Sequence, residues 1–501
     1  MLHGPARALP GLMLAMLMGA LDQTIMAPAL PAIAADLGGL ARMPYVVTAY
    51  LVAATVAMPL YGKLGDRFGR KPVTQAAVVI FIAGAALSGL AASMPQLIAS
   101  RAIQGIGGGG LMIGAQAIIG EIFSPRERGR YLGLIGSAYV VAAVGGPLLG
   151  GLFTDRLSWR WIFAIYPPLG LLTLAALALT LRLPRPRRRE PVDYAGAAAL
   201  AGTVLGVVLS ATLARRSPAG WLPPAFSAVT VAAFAAWLVT ARRAADPVLP
   251  PRLFRDRAFA IPVAIAFLIG FALFGVVTYL PPFLRIAAGA SATAAGLLVT
   301  TLMAGVLVST VLSGRLITAT GRYKAFPVAG TATAAAGMAL LAAAAAGRHA
   351  PSLAAATLLT GLGIGMVMQV MVLAAQNAVP YRDLGAATSA VTFLRQIGAS
   401  AGVALTGALV TARFHELAPG AAPPEPGPAV PGPADPAAQA QVAEAFGAAV
   451  PPVLAAMVPV LGLAFALALA LPVRPLRTKA HIESEGADVD NTRGAADRDQ
   501  P

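Results

Sequence analysis

The sequence predicts an all-α protein that crosses a membrane many times, and three observations carry that reading. Hydrophobic residues make up 57% of the 501-residue chain and charged ones only 12%, against about 25% charged in soluble domains, and the mean hydropathy is +0.74. Apolar stretches of about 20 residues, long enough to cross a bilayer core as a helix, recur along most of the chain. Lys and Arg lie between those stretches, so the formal net charge of +16 reads as membrane topology and not as a nucleic-acid face.

Fourteen such stretches can be cut, at about 9–30, 44–62, 72–93, 95–120, 129–152, 159–182, 193–214, 220–241, 258–285, 291–314, 323–346, 351–379, 384–412 and 450–473. The first is expected to be retained, because it contains Asp22, Pro28 and Pro31 and lacks the small-residue cleavage pattern of a signal peptide. An even number of spans puts both termini on one side. About 27 of the 37 Lys and Arg fall on that side, Arg185, Arg187, Arg188 and Arg189 among them, which makes it cytoplasmic. Trp159, Trp161 and Trp221 then fall at outer helix ends, where interfacial aromatics belong.

Segment 413–450, Pro-rich over 423–428, is expected as an extended extracytoplasmic loop with a short amphipathic turn near Val442 to Phe446. The polar tail 479–501 is expected to be disordered. The chain has no Cys, and His3, His349, His415 and His481 lie in tails or loops, so no metal site is expected. No G-x-x-x-x-G-K-[ST] sequence occurs, which excludes a P-loop ATPase. A membrane enzyme lacks the paired carboxylates or nucleophiles it would recruit in the spans.

Two charges stand inside the spans of the first six helices. Asp22 lies about 13 residues, or about 20 Å, from one end of its span, and Arg101 about 9 Å from the other end of its own, so the depths coincide in a core of about 30 Å. Exposing either to lipid costs at least about 2.5 to 3.5 kcal/mol. Both are therefore expected to face an internal cavity or each other, across a water-lined space between two halves of the protein, with Gln104 one turn beyond Arg101 on the same face. A buried ion pair without a transport role is the plainer alternative.

The chain is organised around the polar knot Gly62-Lys63-Leu64-Gly65-Asp66-Arg67-Phe68-Gly69-Arg70-Lys71, too charged for lipid and expected as a tight turn between two spans. A degenerate second copy follows, in which Gly314-Arg315-Leu316 and Gly321-Arg322 stand 252 residues later and Thr318 replaces the acid. Such copies point to two parallel repeats with a cavity at their interface.

The knot resembles the signature loop between the second and third helices of the major facilitator superfamily. Arg101-Ala102-Ile103-Gln104-Gly105 is similar to that family's fourth-helix pattern, and Gly145-Gly146-Pro147-Leu148-Leu149-Gly150-Gly151 to the motif of its antiporters. Leu21-Asp22-Gln23-Thr24-Ile25, Trp159 to Phe163, and Gln376 through Gly398 resemble its fourteen-helix drug:proton antiporter branch. The resemblance implies two six-helix bundles, 1–182 and 258–478, with two inserted spans in 183–257. It implies export of lipophilic drugs or other small toxic compounds by alternating access, with the proton gradient as energy source and no cofactor. Partners are then the substrate, protons and the bilayer of the cell membrane. The chain is read as a monomer, an accessory export partner being left open.

On the same resemblance, proton coupling falls on Asp22, Arg101 and Gln104. A conformational latch falls on Gly62, Asp66, Arg67, Gly69 and Arg70, with Asp66 capping a helix end of the other half; Thr318 makes it one-sided. Gly145, Gly146, Pro147, Gly150 and Gly151 form the antiporter motif. Candidates for the substrate cavity are Gln23, Tyr139, Gln369, Gln376 and Arg395, with Met366, Met368 and Met371 lending adaptability. Arg395 is read first as a brace onto helix carbonyls and second as a contact for an anionic substrate. As the one clear acid of the spans, Asp22 points to neutral or monocationic substrates. A proton symporter for a nutrient, or an exporter of one endogenous metabolite, is the alternative.

Overall fold

The computed structural model describes residues 4–39, 42–183, 193–213, 222–347, 350–421 and 436–476. These residues form helices and no strand. The first eight are α1 Leu9–Ile25, α2 Leu30–Leu37, α3 Met43–Phe68, α4 Arg70–Gly89, α5 Met94–Ile122, α6 Pro125–Arg156, α7 Trp161–Ala164 and α8 Tyr166–Thr180. An added pair follows, α9 Tyr194–Leu213 and α10 Leu222–Arg243. The remainder are α11 Arg257–Ile286, α12 Ala292–Thr320, α13 Ala325–Gly347, α14 Ala350–Ala378, α15 Leu384–Leu417, α16 Pro436–Ala455 and α17 Met457–Ala470.

Among the described residues, 12 helical stretches are long and apolar enough to cross a membrane. Fourteen were expected. The difference is the added pair: α9 offers only Tyr194–Val207 as a described apolar stretch, and α10 is outside the set of twelve. Arg185 to Arg189, Trp221, the run 423–428 and the tail 479–501 lie outside the described residues.

Three boundaries differ from expectation for physical reasons. The first span breaks at a 3-10 turn, Ala27–Ala29, and resumes as α2, because Pro28 and Pro31 lack the N–H that a continuous helix would bond. The polar knot is helical almost throughout: α3 runs to Phe68 and α4 starts at Arg70, with Gly69 between them at φ 94° and ψ 139°. Charge keeps a segment out of lipid but does not stop a helix, so the turn shrinks to one glycine in a conformation closed to other residues. Finally, most of the segment expected to be extended is helical, since α15 continues to Leu417 and α16 begins at Pro436. The Ala- and Gln-rich run from 437 favours helix, which outweighed the neighbouring prolines.

The first six spans pack on one another, as do the last six, and the groups meet through α3 against α15, α6 against α12 and α14, and α5 against α15. Small residues make this meeting close. A methyl group on Gly62 would lie 2.6 Å from the Gly385 carbonyl oxygen, and one on Gly133 2.9 Å from that of Thr310. Gly129 and Gly314 oppose each other in the same way. The repeat is visible in details: Lys71 Nζ donates to the carbonyls of Ala178 and Leu181 at 2.9 and 2.6 Å, and Lys324 Nζ to that of Leu469 at 2.8 Å. Each lysine thus closes the C-terminal end of the last helix of its own group, where cations are favoured.

Ala at position 385 must push α3 and α15 apart. Gly385→Ala is expected to lower the apparent melting temperature in detergent by an amount corresponding to about 1 to 3 kcal/mol. Gly462→Ala, where nothing lies within 4 Å of an added methyl, is expected to leave it unchanged or slightly higher.

Candidate functional site

Asp22 and Arg101 do meet. Arg101 Nη1 donates to Asp22 Oδ1 and Oδ2 at 2.8 and 2.7 Å, and to Gln104 Oε1 at 2.8 Å, while Gln104 Nε2 donates to Asp22 Oδ1 at 2.9 Å. Asp22 and Gln104 are 0% exposed and Arg101 1%. The guanidinium carbon stands 4.4 Å from the centre of the Tyr50 ring and 5.8 Å from that of Phe163, so aromatic faces shield the cation. Gly105 and Gly109 let the α3 backbone come against α5 beside this ring. The Tyr166 hydroxyl is buried and faces the carboxylate. One expectation is corrected here. The pair lies wholly within α1 and α5, sealed by α3, α7 and α8, and not across a water-lined space between the two groups of spans. Helices too tightly packed to admit water leave the carboxylate only protein partners, Arg101 and Gln104 foremost.

A second cluster joins the two groups. Asp66 Oδ1 accepts from Gly385 N at 3.1 Å and Oδ2 from Ala386 N at 3.2 Å, so a carboxylate from α3 caps the positive N-terminal end of α15. Arg70 Nη2 donates to Asp66 Oδ1 at 2.8 Å, Arg70 Nη1 lies 3.4 Å from Glu121 Oε2, and the Arg70 guanidinium carbon lies 5.1 Å from the centre of the Tyr381 ring. Gly62 and Gly69 serve this cluster as close approach and turn. Arg67 does not join it: its guanidinium lies over the neighbouring Phe68 ring at 4.8 Å, and its Nε is buried without a partner.

The second copy is not the empty counterpart that Thr318 suggested. Thr318 Oγ1 accepts from Arg130 N at 3.1 Å, and Arg126 donates to the carbonyls of Thr318 and Ala319 at 3.1 and 2.9 Å. Here a cation from the start of α6 meets the C-terminal end of α12, the mirror in sign of Asp66 at α15.

The glycines of α6 face three ways. Gly129, Gly133 and Gly136 meet α12 and α14; a methyl on Gly146 or Gly150 would overlap Thr24 or Ile25 of α1; Gly145 and Gly151 have nothing within 4 Å. Pro147 is exposed. Thr24 Oγ1 donates to the Ala142 carbonyl at 2.8 Å, so α1 and α6 are in backbone contact along this edge.

Of the expected cavity residues, Tyr139, Gln369 and Arg395 line one small cavity between the two groups, together with Met16, Thr310 and Met368. Gln23 and Gln376 are elsewhere. Gln23 Nε2 reaches Met112 Sδ at 3.5 Å, and Gln376 Nε2 donates to Thr388 Oγ1 at 2.9 Å and to the Gln116 carbonyl at 3.3 Å. The cavity, about 10 Å³, has room for about one water molecule; substrate sites are typically about 300 to 1,000 Å³.

The family model described as Major Facilitator Superfamily matches residues 12–403. The chain belongs to that superfamily. It is 40% identical over 407 residues to an uncharacterized MFS-type transporter of Mycobacterium tuberculosis, the match covering 79% of this chain and 58% of that protein. The chain therefore spans a little over half the length of that relative. It is 32% identical over 409 residues to the multidrug transporter protein MdtP of Bacillus subtilis, covering 81% of this chain and 75% of MdtP. Among solved structures, the proton:xylose symporter XylE superposes with a TM-score of 0.65 at 16% identity, over 96% of this chain and 98% of XylE; that likeness concerns the fold.

Sequence reasoning missed Glu121 in this facilitator. It ends the apolar run of α5, one residue beyond the span as cut, yet is 5% exposed and faces Arg70; a carboxylate in the last turn of a buried helix was the available signal. Lys63 was also passed over, although it is buried and pairs with Asp246 in the segment after α10.

The packing of α6 on α1 separates its glycines by role. Because the native chain has no Cys, a cysteine introduced at Thr24, which faces α6, reports on the gap between these helices. Gly150→Ala is expected to raise its labelling rate with a soluble maleimide several-fold, and Gly151→Ala to leave it at the native rate.

Proposed function

We propose that this facilitator is a proton-coupled antiporter of the fourteen-helix branch, exporting lipophilic small compounds from the cytoplasm by alternating access. The observation that carries the reading is the dehydrated triad of Asp22, Arg101 and Gln104 at mid-depth in the spans. A buried carboxylate must keep a counter-charge, and only a proton can take the place of the guanidinium without bringing in another residue. Any motion of α1 against α5 thus trades Arg101 for a proton. α1 is placed to move with the cavity, since Met16 borders it about 9 Å along the same helix from Asp22 and Thr24 and Ile25 abut Gly146 and Gly150 of α6.

In this reading α9 and α10 are the seventh and eighth of fourteen spans, inserted between bundles 1–182 and 258–478; their mutual packing and the contact of α9 with α3 and α15 support it. Both termini are cytoplasmic in the cell membrane, on the basic side. Asp66, Arg70, Gly62 and Gly69 then latch the cytoplasmic side of an outward-facing state, and Arg67 is left without a latch role. Relatives about 30% identical that are named efflux pumps support export over uptake.

The test is transport in proteoliposomes under an imposed pH gradient, across chemically diverse lipophilic compounds. Asp22→Asn is expected to abolish proton-driven export. It also strands Arg101, a cost of about 3 to 5 kcal/mol, so Asp22→Asn with Arg101→Gln is expected to restore thermal stability without restoring coupling. Native export by either variant removes Asp22 from the mechanism, and protons moving with the substrate instead of against it make the protein a symporter.

A further inference from the structure

Arg395 of α15 is 8% exposed, and its Nη1 is fully buried with no hydrogen-bond partner. Among the described residues it has no ion pair, and no carbonyl receives it. The role of brace onto helix carbonyls is therefore not what this side chain does. Its surroundings are equally telling. The cavity it borders takes Met16, Tyr139 and Gly136 from one group of spans and Thr310, Met368 and Gln369 from the other. The Gln369 side chain is 6% exposed and lies on the same wall, where its Nε2 is the group that can donate, whereas Thr310 Oγ1 is occupied by the Gly365 carbonyl at 3.0 Å. Asp22 contributes nothing here, because Arg101 and Gln104 hold it inside the first group. Arg395 is thus the charged side chain on this wall, and the sign of the wall is positive. The expectation of neutral or monocationic substrates rested on Asp22 facing the cavity, which it does not.

We propose that Arg395, with the Tyr139 hydroxyl and the Gln369 carboxamide, forms a binding site for the oxyanion of an amphiphilic substrate, a carboxylate or sulfonate on a lipophilic body. A guanidinium buried without a partner is costly, and a planar fork of donors matches the two oxygens of a carboxylate. The methionines and aliphatic residues around it suit a variable apolar body. This rests on the reading of the cavity as the transport site, and it names the substrate class that site prefers. Since the cavity holds about one water as it stands, the site is engaged when the two groups of spans part.

The experiment is equilibrium binding to the purified full chain in nanodiscs, using dansyl-undecanoate and its neutral amide as probes, with thermal melting alongside. The carboxylate is expected to bind at least about tenfold tighter than the amide. Arg395→Gln is expected to erase that preference by weakening the carboxylate alone, while melting no lower than the native chain because a stranded charge is gone; Arg395→Lys is expected to retain part of the preference. A preference that survives Arg395→Gln overturns the proposal. So does an Arg395→Gln variant that melts markedly lower with unaltered probe selectivity, the signature of a structural brace. Chloride that stabilises the native protein as much as the carboxylate probe does, with acid and amide bound alike, assigns the cation to an inorganic ion and also overturns it. Binding needs no gradient, so a chain that fails to export yet keeps the Arg395-dependent preference refutes the antiport reading and leaves this one standing.

Discussion

A carboxylate without water around it stays charged only if the protein brings it a cation and enough donors, and at Asp22 both requirements are met by one helix. Arg101 and Gln104, one turn apart on α5, close on the two oxygens, and Tyr50 and Phe163 cover the cation. Breaking such a pair by removing one partner is far more costly than its net contribution suggests, because the other charge is left stranded. The constraint propagates outward. The glycines of α5 exist beside bulky partners on α3, Thr24 and Ile25 of α1 demand glycines on α6, and the first group of spans is consequently fitted around a polar centre it cannot expose piecemeal.

The join between the two groups follows a different rule. There the groups exchanged are helix ends: an anion from α3 on the start of α15, and a cation from α6 on the finish of α12. Each contact satisfies backbone donors or acceptors that a helix terminus leaves open, and one continuous apolar core runs from the first group into the second around them. Glycines on both sides bring the backbones near enough for this to work.

Much of this was readable in the sequence. Depth counting alone put Asp22 level with Arg101, since rise per residue and bilayer thickness are fixed quantities, and the family likeness directed Asp66 to a helix end of the other group. What was not readable depended on neighbours brought together only by folding. Whether Arg395 finds carbonyls, whether Asp22 borders a cavity or a sealed core, and whether Thr318 leaves a helix end empty are questions of side-chain surroundings, on which spacing is silent. Glu121 was lost to a boundary drawn one residue early, and the helical extent of residues 62–71 and 436–450 was lost by treating charge and proline as stops. Fourteen spans were cut by hydropathy, and twelve are sustained by the described helices.

The two joins differ in one further respect. The Asp66 side chain is 8% exposed, so dissolved ions hardly reach it, whereas the Arg126 guanidinium lies open to solvent and its contacts with the end of α12 are weakened by mobile counter-ions. Of the two seams, the one along α6 and α12 is therefore the more sensitive to ionic strength.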